Sequence, residues 1–129
     1  MAFIEALLLS IGLVFPLCAN SQAAVTWQDA TEYRSLSWDA ETWPSVTHRA
    51  YDLADSTTLS HEGFEEIADS MGFAGCEILA RVESGDSAFD AWMNSPGHRA
   101  CIVNPAYTRA AVASFVGSDG LVYTAMWLR

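Results

Sequence analysis

From residue 41 onward, apolar side chains return every three or four positions, at Trp43, Val46, Ala50 and Leu53, which is one face of a helix reaching about residue 55. Pro44 is tolerated in its first turn, where a missing N–H leaves nothing unpaired. The polar run Ser56, Thr57, Thr58 breaks the pattern, and residues 59–63 read as a loop presenting His61. Phe64, Ile67, Ala68 and Met71 then give a second, shorter helix an inward face, with Gly72 and Gly75 ending it. Residues 76–80 are apolar apart from Glu77 and bounded by glycine, so they read as a strand. A cap in residues 84–87 and an apolar stripe at Ala88, Phe89, Trp92 and Met93 predict a third helix. A further short helix starts at Ser95 with Pro96 in its first position, which places His98 in its first turn. The runs 109–116 and 121–128 flank Gly117-Ser-Asp-Gly120 and predict an antiparallel hairpin. Residues 25–40 carry Trp27, Tyr33 and Trp38 without sustained periodicity and read as a loop or short helical turn laid on the core. Helices around short strands, with no repeat or linker, predict one α+β layered unit.

Composition narrows the setting. The chain has 129 residues, room for one domain, and its 51% apolar and 12% aromatic content can build a core. Its first 24 residues hold an apolar run at 6–18 and end in the small residues of 21–24. That predicts a signal peptide over 1–24, a domain over 25–129 and a secreted protein, extracellular or periplasmic, with no stable membrane span once the signal is cleaved. Glu5 and the lack of Lys or Arg in this segment leave an uncleaved anchor as the alternative. The formal charge of −10 comes from 16 acids against 6 Arg, with no Lys, which argues against nucleic acid and anionic membrane as partners. Removing Cys18 with the signal leaves Cys76 and Cys101, either one disulfide or two buried thiols, since bridging is a spatial condition that separation along the chain does not decide.

Candidate chemistry centres on histidine. His48 lies off the apolar stripe and reads as a solvated surface residue. His61 and His98 sit in tight turns, and Glu77 is an acid in an apolar strand, where a buried carboxylate needs partners. Two imidazoles and a carboxylate converging in a cleft would suit Zn²⁺ or another divalent cation, with His61, Glu77 and His98 as the metal ligands. The alternative is a metal-free set of hydrogen-bonded side chains, because separations of 16 and 21 residues form no compact metal motif. No activated nucleophile, Gly-x-Ser-x-Gly elbow or phosphate loop is present, so no catalytic residue and no organic-cofactor site is assigned.

Residues 59–63 and 76–80, then Ala91-Trp-Met-Asn-Ser-Pro-Gly-His-Arg-Ala100 and Asn104-Pro-Ala-Tyr-Thr108, follow in an order that resembles the bacterial-type CAP superfamily: cysteine-rich secretory proteins, antigen 5 and pathogenesis-related proteins. The resemblance implies an α-β-α sandwich with a central antiparallel sheet, here trimmed at the N-terminus with its first helix largely missing. It also implies a cavity lined by His61, Glu77 and His98 that can hold Zn²⁺. Cys76 and Cys101 replace a Gly and an Asn of the family pattern beside Glu77 and His98, so the resemblance implies that they bridge. Ile78 stands where the family has Asn, Ala91 where some members have a fourth acid, and Thr124-Ala-Met126 where Thr-Gln-Val is usual, so polar support for a metal is thin. The function implied is a monomeric, non-enzymatic module binding a lipid, another small ligand or a partner. A metal-dependent hydrolase and a diverged structural domain with an unused cavity are the alternatives.

Overall fold

The computed structural model describes residues 14–129, with side chains from Gln22 onward; the expected targeting segment lies outside the described residues as far as residue 13. The elements follow in the order α1 (Val14–Tyr33), β1 (Ser37–Trp38), α2 (Trp43–Ser56), α3 (Phe64–Met71), β2 (Cys76–Val82), α4 (Ala88–Met93), α5 (Pro96–Val103), β3 (Arg109–Val116) and β4 (Val122–Leu128). The strands form one sheet in the order β1-β3-β4-β2. Its three long strands are antiparallel, with Ala111 opposite Trp127 and Trp127 opposite Glu77. β1 adds a parallel edge of two residues, Ser37 beside Arg109 and Trp38 beside Ala110. It stops there because the Asp39 carbonyl accepts hydrogen bonds from the Trp43 N–H (3.2 Å) and the Thr42 hydroxyl (3.4 Å), which turns the chain into α2.

Strand alternation divides the core in two. Ile78, Ala80, Val112, Met126 and Leu128 pack on one side with Ala23 and Ala30 of α1, Phe89 and Trp92 of α4 and Ile102 of α5. Leu79, Ala113, Tyr123, Ala125 and Trp127 pack on the other with Val46, Ala50 and Leu53 of α2 and Ala68 of α3. This is the expected sandwich. Buried polar groups are paired: the Trp92 indole N–H donates to the Leu79 carbonyl at 2.9 Å, and Ser114 and Thr124 share a hydroxyl hydrogen bond of 2.7 Å. Arg34 reaches from the end of α1 to the carbonyls of Ile102, Asn104 and Tyr107, closing the end of α5 and the turn after it.

The main correction concerns residues 25–33, which are helix and not loop: α1 is twenty residues long where little of a first helix was expected. Trp38 and Trp43, expected to face inward, are both more than 40% exposed. α2, α3, β2, α4, α5 and the hairpin stand where the pattern placed them. Ser87 caps α4 by accepting from the Asp90 N–H at 3.0 Å, whereas Ser95 occupies the cap position of α5 without a side-chain hydrogen bond. Gly72 ends α3 in the left-handed conformation that glycine adopts without penalty. No helix among the described residues is long and apolar enough to cross a membrane.

Candidate functional site

Glu77 lies on the outer strand β2, facing the α2 layer beside Trp127. Its side chain is almost completely buried, so its charge must be balanced inside the protein. Arg49 supplies the balance from the buried face of α2: Nε donates to Oε2 at 2.8 Å and Nη2 to Oε1 at 2.7 Å, a bidentate pair. The Trp127 indole N–H donates to Oε2 at 2.8 Å, and His61 Nδ1 lies 3.0 Å from Oε1. Because an ionised carboxylate only accepts, His61 carries its proton on Nδ1 and leaves Nε2 free toward solvent.

The same guanidinium fixes the loop that presents His61. Nη1 donates to the Glu62 carbonyl at 2.8 Å and Nη2 to the Ser60 carbonyl at 2.9 Å. The loop then enters α3 through Gly63, whose φ of +92° would strain any side-chain-bearing residue. His61 is thus an exposed imidazole on a rigid mount.

His98 arrives from the opposite helical layer, in the first turn of α5, and is half-buried. Partial burial, and then the neighbouring charge of His61, lower its pKa. His48 is exposed and pairs with Asp52 one turn along α2, as expected of a surface residue.

The structure therefore joins His61 directly to Glu77 and places His98 within electrostatic reach of His61. No group of three or more His, Cys, Asp or Glu side chains among the described residues has the arrangement of a metal site. Glu77 in particular does not suit a ligand role: four hydrogen bonds occupy its two oxygens, and the Arg49 guanidinium repels a cation placed there. A carboxylate that holds His Nδ1–H is, in metal proteins, the group behind the ligand. The two imidazoles are the remaining donors.

Two members of the site escaped the sequence reading, and both left a signal. Arg49 falls on the same stripe as Val46, Ala50 and Leu53, so a cation was heading into the core and required a buried acid. Trp127 lies directly across from Glu77 in a strand that is buried throughout. The expected disulfide is present: Cys76 and Cys101 are bridged, with Cα atoms 6.2 Å apart, tying β2 to the helix that carries His98.

No curated protein sequence matches this chain. Among solved structures, an outer surface protein from Borrelia burgdorferi superposes with a TM-score of 0.68 at 17% identity, covering 84% of this chain and 92% of that one. A cysteine-rich secretory protein from Staphylococcus aureus superposes with a TM-score of 0.63 at 15% identity, covering 85% of this chain and 38% of the other. At these identities the likeness is one of fold. The sequence profile of the cysteine-rich secretory protein family matches residues 22–127, almost the whole of the described fold, and the chain belongs to that CAP family.

Proposed function

We propose that this chain is a secreted, monomeric, non-enzymatic CAP module that binds a lipid, another small ligand or a partner at the face carrying His61 and His98. The observation that carries this reading is the saturation of Glu77. Metal-dependent hydrolysis with Glu77 as a base needs a free carboxylate oxygen to take a proton from water, and here Arg49, Trp127 and His61 use both oxygens. Glu77 instead works as a positioning group, aiming the free nitrogen of His61 outward. Were a divalent ion to bind, His61 Nε2 and His98 would hold it, adding a Lewis-acidic anchor for a ligand atom. Secretion accords with the disulfide, since such bonds persist in oxidising compartments.

The test combines metal analysis with activity. The purified protein is titrated with Zn²⁺ beside a His61→Ala, His98→Ala double variant, and both are assayed on peptide and ester substrates. Absence of turnover in both proteins is the expected result, and Zn²⁺ uptake confined to the wild type would place a bound ion on the two imidazoles. Equal uptake by both proteins puts the ion elsewhere. Zn²⁺-dependent hydrolysis that disappears in the double variant would overturn the non-enzymatic reading.

A further inference from the structure

A second surface lies at the other edge of the sheet, away from the strand that carries Glu77, the partner of His61. β1 pairs with β3 only as far as Ala110, so from there on β3 is itself the edge. The carbonyls of Thr108 and Ala110 point toward β1, whereas Arg109 and Gly117 bond toward the β4 side. Strand alternation therefore turns the N–H and C=O groups of Val112 and Ser114 outward, along the line that β1 vacates. No hydrogen bond to them from beyond the β3–β4 ladder exists among the described residues. Both residues are nevertheless almost completely buried, and buried main-chain groups nearly always have partners.

Val112, with Ala113 beside it, forms the floor of a cleft of about 330 Å³ between α1 and α2, walled by Trp27, Trp38, Trp43 and Phe115, and Ser114 follows one strand repeat further along the same edge. Trp38 stands edge-on to Trp27, with ring centroids 5.0 Å apart, and is tilted against Trp43 at 6.3 Å. A second hollow of about 130 Å³ continues along β3, sharing Phe115 and ending at Asp55 and Ser118. Trp43, Thr47, Tyr51 and Asp55, four residues apart on α2, line its length.

We propose that this cleft takes an extended peptide segment of a partner protein as an added strand on β3. Outward donors and acceptors repeating every two residues match a peptide main chain, and aromatic walls match alternate apolar side chains. Asp55 at the far end, in a chain of net charge −10, favours a basic residue at that end of the peptide. The same net charge opposes a second copy of this chain as the occupant. The slot is independent of the histidine face, so either assignment can fail without the other.

The probe is the peptide acetyl-Val-Thr-Val-Thr-Val-Arg-amide, added to the full chain while amide exchange is followed residue by residue. Protection at Val112 and Ser114 should rise about tenfold or more. An analogue N-methylated at alternate amides, with the same side chains, should give no such rise. Thr47→Arg, on the cleft wall, should abolish the effect, while His61→Ala leaves it intact. Equal binding of the N-methylated analogue would overturn the proposal in favour of a lipid or other apolar ligand. Full protection already present in the free chain would mean that the slot is filled from within. Concentration-dependent protection without peptide would assign the edge to a second copy. No protection at all would refute it outright.

Discussion

Replacing Arg49 with methionine tests the centre of the site. The substitution keeps an unbranched, helix-compatible side chain but removes the partner of a carboxylate whose side chain is only 1% exposed. Leaving one member of a buried pair uncompensated costs about 3–5 kcal/mol. The total stability of such a domain is only about 5–15 kcal/mol. Taking a urea dependence near 1.5 kcal/mol/M, the midpoint should fall by about 2–3 M. Glu77→Leu alone should be comparably damaging, because it strands the Arg49 guanidinium and the Trp127 N–H. The double variant should be less destabilised than either single one: both charges are gone, and the principal debt left is the Trp127 N–H, about 1–3 kcal/mol. Urea unfolding followed by tryptophan fluorescence measures all four proteins as a double-mutant cycle. A loss below about 1 kcal/mol for Arg49→Met, or a double variant as weak as the sum of the singles, would refute the account of Arg49 and Glu77 as one buried unit.

Other consequences can be measured separately. His98 is held below its ordinary pKa by burial and then by His61, so His61→Ala should move its NMR titration part of the way back, with burial keeping the remainder. Because the unfolded chain takes up this proton first, stability should decline as pH falls from about 6.5 toward the lower folded value and then level off, a slope that His98→Ala removes. The Asp39 carboxyl titrates low: burial opposes its charge, but the hydrogen bonds from Arg129, the nearby Thr42 hydroxyl and the charges of Arg129 and Arg109 prevail. The stability it contributes is present above about pH 3.9 and lost as pH falls through the folded value, so Asp39→Asn should flatten the acid limb of the unfolding curve. The Cys76–Cys101 bridge closes a loop with a separation of 25 residues; replacing both cysteines by serine should cost about 3.5 kcal/mol from loop entropy. Mass spectrometry of the alkylated, unreduced protein should find neither thiol free.

The legible parts of the sequence were those where side-chain size marks the buried face. Val46, Ala50 and Leu53 gave α2 its period, and the two runs around Gly117 and Gly120 gave the hairpin. α1 was unreadable for a definite reason. Among its described side chains, those it buries fully are small, Ala23, Thr26 and Ala30, while its large aromatics Trp27 and Tyr33 flank that stripe and stay partly in water. Hydrophobicity therefore carried no helical period even though packing did. At the site, His61, Glu77 and His98 were found as residue types in turns and an apolar strand, and the first two do touch. What the chain could not reveal was that Glu77 is already neutralised, because that depends on Arg49 lying 28 positions earlier and Trp127 lying 50 later.

Cys76 and Glu77 are consecutive residues of an outer strand, and consecutive strand residues point to opposite faces. One is covalently tied to α5 on one side; the other is clamped to α2 on the opposite side. A single step of backbone therefore acts as a rivet through all three layers. Force that pries either helical layer away loads a covalent bond or a buried ion pair before it can peel the strand. Motion that changes the separation of His61 and His98 is left to the few residues of the loop between α2 and α3, which makes the spacing of the two imidazoles a built-in dimension of the molecule.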